Sequence, residues 1–326
     1  MNKFIVITSI FPPTEAIRKL VAFTGWKIIV VGDLKTPSDW NYPGITYLSP
    51  EHQETISSKF SELLQWNTYT RKNIGYLHAI DQGAKIIYET DDDNIPRGNW
   101  VDNQEFNVDA EILSGTSFVN IYSFFTDKKV WPRGIPLRCV LNMKTPKIDH
   151  AENLEIGIWQ YLADEDPDVD AIYRLTNNSP VYFDPRSPLV LAKNTCCPFN
   201  SQNTYFRKEV FPLLYLPSTV TFRFTDILRG LIAQPILWAA GYHLAFAEAT
   251  VLQKRNPHDY LKDFESEIPC YLLAEQVVDI ARDEVAPERS IEANLIRVYH
   301  ALASKGIVSE KEIEILGCWL DCLGQL

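Results

Sequence analysis

The chain has 326 residues, 46% apolar and 22% charged, enough to bury a large core and unlike a disordered or low-complexity protein. Its formal net charge of -11 argues against nucleic acid as a partner, because phosphate backbones are held by basic surfaces. Six cysteines with no C-x-x-C pair fit neither a disulfide framework nor a structural zinc site, so reduced thiols and a cytoplasmic location are expected.

The first residues, MNKFIVITSIFPP, run directly into an apolar, β-branched segment, Phe4 to Thr8, that reads as a buried strand rather than a leader. Pro12 and Pro13 break it, and Ala16, Leu20 and Phe23 have helical spacing, with Gly25 as the stop. Lys27 to Val31 is a second strand, ending at Gly32-Asp33, and Ile45 to Leu48 a third. A long helix is expected over roughly Ser57 to Gln82, on the spacing of Ile74, Leu77 and Ile80. Lys85 to Glu89 forms a fourth strand that delivers Thr90-Asp91-Asp92-Asp93. Strands alternating with helices predict an α/β fold with a mainly parallel, Rossmann-type sheet flanked by helices. Thr8, Asp33 and the three aspartates then fall at carboxyl ends of strands, where such sheets bind ligands.

From Trp100 to Phe224 the pattern is mixed, with short strands, prolines and loop clusters. A helix follows Asp226 through Leu228, Ile232 and Trp238 to Gly241, then a strand over His243 to Phe246. The apolar stretch from Gly230 to Thr250 contains Gln234, Pro235, His243 and Glu248, which exclude a membrane span. The tail has helical spacing over Leu272 to Ile280, Ile291 to Leu302 and Ile313 to Leu323. This divides the chain into a domain at 1–264 and a helical C-terminal extension at 265–326. The apolar stripes of that extension either pack on the main domain or form a homo-oligomer contact.

Three consecutive aspartates concentrate negative charge that a cation or hydrogen-bond donors must offset. On an extended chain Asp91 and Asp93 point the same way, and Mn2+ or Mg2+ held there can bridge the phosphates of a nucleotide sugar. The alternative is a solvated acidic turn. Just upstream, Thr70-Arg71-Lys72-Asn73-Ile74-Gly75 places two cations, an amide and a glycine on one helix. Arg71 can hold a phosphate or ribose through its planar fork, and Gly75 marks a close approach of a neighbour or a ligand.

The stretch Trp66 to Ile80, followed by Gly83-Ala84-Lys85 and Glu89 to Asp93, resembles the STELLO-type glycosyltransferase-like proteins. More distantly it resembles the GT-A pattern of nucleotide-diphospho-sugar transferases. Pro198 to Lys208, and Phe224 to Gly230 with Gln234, Trp238 and Gly241, continue the resemblance, which covers about 1–263. The plant proteins carry a membrane anchor before this region, and none is expected here.

The resemblance implies a GT-A-like fold and a metal-dependent glycosyltransferase, inverting, that moves a sugar from a nucleoside-diphosphate donor, a UDP-sugar first, to a glycan or other hydroxyl acceptor. It implies Thr8, Ser9, Asp33, Lys35, Arg71, Asn73, Asp91 and Asp92 for the nucleotide sugar, and Asp91, Asp93 and His258 for the metal. It implies Asp226 as the base that takes the acceptor proton, with Arg229 orienting it or touching phosphate. A helix cap for Asp226, an intrahelical pair for Arg229, a turn residue after a strand for Asp33 and a solvated loop lysine for Lys35 are the plainer alternatives. A nucleotide-sugar mutase and a non-catalytic nucleotide-sugar-binding protein are the competing functions.

Overall fold

The structure, a computed structural model, describes residues 2–101, 103–255 and 259–325. Its strands are β1 Lys3–Thr8, β2 Trp26–Val31, β3 Ile45–Leu48, β4 Ile86–Thr90, β5 Asn94–Pro96, β6 Asn107–Ser114, β7 Lys147–Asp164, β8 Leu189–Leu191, β9 Asn203–Arg207 and β10 His243–Gln253. They form one ten-stranded sheet in the order β3-β2-β1-β4-β9-β7-β6-β8-β10-β5, with β7 also pairing β10. The α/β class expected from the sequence holds. The mainly parallel sheet does not: among the described residues five pairings are parallel and five antiparallel.

The antiparallel pairings enter with the later strands. β1, β2, β3 and β4 are joined by crossovers and pair in parallel. Beyond them the long β7 runs antiparallel to β6, and β9 enters antiparallel between β4 and β7, while β8 lies parallel to β6.

The expected helix over 57–82 is also divided. Short helices at Pro50–Ile56 and Ser58–Leu63 precede a 3-10 turn at Tyr69–Arg71, and only Lys72–Asp81 runs as a continuous helix. Asn67 takes a left-handed backbone at φ 60°, and the turn around it redirects the chain toward the end of β2. Helix Lys72–Asp81 lies on β1 and β2 at Gly75, where a Cβ would meet Val31 Cγ2 at 2.6 Å and Val6 Cγ1 at 2.7 Å. The close approach read from the sequence is to the sheet.

Helices Tyr260–Glu284, Ile291–Ser304 and Glu310–Gln325 close the chain, and the first runs through the boundary expected after residue 264. Their inner faces, through Val278, Val298 and Trp319, join the same apolar core as Phe60 and Leu231. Glu312 is fully buried and accepts from the amides of Ser218 at 3.0 Å and Thr219 at 2.7 Å. The apolar stripes of the extension are thus covered largely by the main body.

Candidate active site

Because β1, β2 and β4 are parallel, their carboxyl ends share one edge of the sheet, and Thr8, Ser9, Asp33 and Asp91 to Asp93 gather there. Two cavities of about 200 Å³ each open along this edge. Thr8, Tyr69, Asp92 and Phe222 line both, so the two form one continuous cleft. The first is bounded by Asp91, Asp92 and Asp93 on one wall and by Arg133, Arg223 and Arg255 among its other residues. The second lies over the β1 and β2 ends, with Ser9, Asp33, Lys35 and Asn67.

The three aspartates have different partners. Lys72, fully buried, donates to Asp91 Oδ1 at 3.1 Å and to the Thr90 carbonyl at 3.0 Å. Asp92 accepts from the Ser9 hydroxyl, and its carbonyl accepts from Thr14 Oγ1 at 2.5 Å. Among the described residues the Asp93 carboxylate accepts only from the Gln253 amide, at 3.3 Å. Burial, opposed by the Ser9 hydrogen bond and reinforced by Asp91, pushes the Asp92 carboxyl up to about 6. Burial, with Asp91 and Asp92 beside it, pushes Asp93 up to about 7. Lys72 pairs with one of the three carboxylates, so acids outnumber their paired cations in the cluster, and its oxygen donors suit a hard divalent cation. Among the described residues no three His, Cys, Asp or Glu side chains are grouped to hold a metal. A magnesium-like ion needs only one or two carboxylates when substrate phosphates complete its shell, so Asp91 and Asp93 fit that mode. His258 lies outside the described residues.

On the second cavity, Asp33 is buried, with Oδ1 accepting from Leu34 N at 2.6 Å and Asn67 N at 2.9 Å. This fixes the carboxylate at the cavity wall. Lys35 is exposed on its rim. Ile10, Phe11 and Phe222 border it as exposed apolar groups, Phe222 edge-on to Tyr69 at 4.8 Å.

Three sequence expectations change. Arg71 is fully buried, and its fork is spent on Gln53 Oε1 at 2.9 Å, Ser61 O at 2.8 Å and Ser61 Oγ at 2.7 Å, with Trp66 stacked at 3.6 Å. It supports the cavity wall instead of presenting donors to a phosphate. Asn73 is sealed by reciprocal 2.9 Å hydrogen bonds with the Leu216 backbone and lines neither cavity. Arg229 neither orients Asp226 by contact nor reaches the cleft. It is buried in a two-pronged pair with Glu89 on β4, at 2.9 and 2.6 Å, and donates to the Asn200 carbonyl. Its effect is to tie helix Thr225–Ala239 to the strand that carries the aspartates. In each case a long polar side chain next to a motif satisfies the buried interior.

Asp226 does line the first cavity, at the first turn of that helix. Both its oxygens accept from Arg133 Nη2 at 3.1 Å, Oδ2 also from Ser201 N at 3.3 Å, and its amide donates to the Tyr69 hydroxyl at 3.0 Å. Arg133 further makes a fork with Asp168, Nε to Oδ1 and Nη2 to Oδ2, both at 2.8 Å. Asp168 also accepts from Asn200 Nδ2 at 2.9 Å. Burial opposes the charge of Arg133, but Asp168 and Asp226 hold it firmly protonated. Burial likewise opposes the Asp168 charge, yet Arg133 and Arg223 keep its carboxyl at about 2. Arg223 pairs with the buried Glu267 at 2.8 Å.

Lys72, Tyr69, Arg133, Asp168, Asn200, Arg223 and Arg255 are site residues that sequence reasoning passed over. Lys72 sat inside the basic motif, beside the residue chosen in its place. The others are isolated polar residues in the mixed region and at turn positions, with no spacing to connect them.

Comparison with known proteins supports the resemblance. Residues 223–326 match the family described as STELLO glycosyltransferases. Two plant proteins from Arabidopsis thaliana, "Probable glycosyltransferase STELLO1" and "Probable glycosyltransferase STELLO2", are 28% and 29% identical over 99% of this chain. The chain spans 44% of the length of each. The likeness thus runs past residue 263 into the C-terminal helices, and the family match falls there rather than on the 66–93 segment that first carried it. Among solved structures, one described as a crystal structure of a mycobacterial protein aligns over 94% of this chain and 76% of its own, at 10% identity and a TM-score of 0.38.

Proposed function

We propose that this chain, a sequence relative of the STELLO glycosyltransferases, is a metal-dependent, GT-A-type transferase that moves a sugar from a nucleoside-diphosphate donor to a hydroxyl acceptor with inversion. The observation that carries the reading is the continuous cleft whose two chambers meet at Asp92. The second chamber suits a nucleoside: apolar Phe11 and Phe222 offer faces for a base, and Asp33 offers a fixed acceptor for base or ribose. A UDP-sugar is the first donor to test. The first chamber then receives the diphosphate beside Asp91 and Asp93 and the sugar beyond it.

Asp91 and Asp93 would hold Mn2+ or Mg2+, which supplies Lewis-acid stabilisation to the departing diphosphate. Lys72 fixes Asp91, and Gln253 steadies Asp93. Asp226 faces the sugar chamber with both carboxylate oxygens oriented by Arg133, placed to take the proton of the attacking acceptor hydroxyl. The Arg229–Glu89 pair keeps the distance between that carboxylate and the aspartates constant.

The test is a thermal-shift and calorimetric panel of nucleotide sugars with and without manganese. One donor should stabilise the protein only when metal is present. Asp226→Asn should keep that binding and lose turnover. Donor stabilisation that ignores metal, or full turnover by the Asp226 variant, overturns the respective part of the reading.

A further inference from the structure

Four guanidinium groups, Arg133, Arg174, Arg223 and Arg255, stand behind or beside the first chamber, and they are not equally satisfied. Arg133 is saturated by Asp168, Asp226 and a carbonyl, and Arg223 is held by Glu267. Arg174 pairs with Asp166 and donates to the Pro167 carbonyl at 2.7 Å. Among the described residues Arg174 Nε is left without an acceptor, and Arg255, two residues past the end of β10, is the least satisfied of the four, with two such nitrogens. Its side chain is 7% exposed and lines the chamber, yet its nearest anion is Asp166, 3.2 Å from Nε and already engaged by Arg174. Nε lacks hydrogen-bond geometry to it, and Nη1 has no acceptor among the described residues.

A buried guanidinium with unused donors costs stability unless something supplies the acceptors. Burial and the neighbouring Arg223 press its charge below the ordinary arginine value, with Asp166 offsetting only part of this. Gln253, which contacts Asp93, is two residues before it, so Arg255 shares the chamber with the aspartates rather than lying on a separate surface. An anion in that chamber is attracted by Arg255 directly and, through a cation, by Asp91 and Asp93. Planar arginine donors match phosphate oxygens.

We propose that Arg255 is a second, metal-independent phosphate receptor, taking the terminal phosphate of the donor's diphosphate in the chamber it shares with the aspartates. The proposal rests on the nucleotide-sugar reading above and adds a residue to it. Arg255 would neutralise charge as the diphosphate leaves, in addition to the cation.

The test is calorimetry of the full chain with manganese, using the diphosphates and the matching monophosphates of uridine, guanosine, adenosine and cytidine, for wild type, Arg255→Gln and Arg255→Lys. For the diphosphate that wild type prefers, Arg255→Gln should weaken binding at least tenfold and leave the monophosphate unchanged, while Arg255→Lys recovers part of the loss. An unfolding curve matching wild type excludes a collapsed site. Equal loss for mono- and diphosphate, or none for the diphosphate, overturns the proposal while leaving the donor reading intact. Failure of wild type to bind any diphosphate overturns both.

Discussion

The two walls of the first chamber carry similar numbers of charges and behave oppositely. On the β4 side three aspartates share one lysine, one serine and one glutamine, and the carboxyls of Asp92 and Asp93 are driven up by burial and by one another. On the facing side Arg133, Asp168 and Asp226 satisfy one another almost completely. The Arg133 network is internally paired and holds Asp226 in a fixed orientation, whereas the aspartates have capacity left for a ligand. The difference separates a wall whose groups are positioned by one another from a wall whose groups are completed by what binds.

The sharpest way to break this comparison is Arg133→Gln. It leaves two carboxylates buried without their partner and should cost about 3 to 5 kcal/mol, read from urea denaturation. A midpoint within error of wild type would mean that the network is not structural. On the other wall, Asp93→Asn should leave the ligand-free protein as stable as wild type and remove the metal-dependent donor stabilisation. At a hundred dissociation constants of donor that stabilisation is about 2.7 kcal/mol. Retained stabilisation would take Asp93 out of the site.

Acid sharpens the contrast. The folded Asp168 carboxyl sits at about 2, below an unfolded value of about 4. Its contribution is therefore present above that unfolded value and lost as the pH falls through 2, on the order of 2 kcal/mol. Melting temperatures between pH 5 and pH 2 should fall less steeply in Asp168→Asn than in wild type; parallel curves would contradict the pairing. Gly75→Ala tests the parallel half of the sheet that supports the acidic wall. Its Cβ would enter the space of Val31 and Val6, and overpacking of this kind costs about 1 to 3 kcal/mol. Thr14→Ala is the mildest. It removes the cap on Ile17 N and the hydrogen bond to the Asp92 carbonyl, about 1 kcal/mol in equilibrium unfolding.

The parallel half was legible because its strands, Phe4 to Thr8 and Lys27 to Val31, are continuous apolar runs separated by turn residues. That was enough to place Thr8, Asp33 and the aspartates on one rim. The mixed half was not legible, because β6 to β10 have both parallel and antiparallel neighbours, set by contacts far apart in the chain. The alternation within β7 does not state its neighbours. Arg71 and Lys72 illustrate the same limit at residue scale. They are adjacent, equally charged in sequence and separated only by which way each side chain points.

The sequence by itself determined the α/β class, the acidic strand terminus, the helix that begins at Asp226 and the likeness to STELLO proteins, since each is written in local periodicity or in contiguous residues. Only the tertiary structure decided which cations face the cleft, that Asn73 and Arg229 are spent in the interior, and that Arg133, Asp168 and Arg255 stand beside Asp226. Those outcomes depend on contacts between residues far apart in the chain, where burial forces every polar group to find a partner. No local pattern records which one it finds.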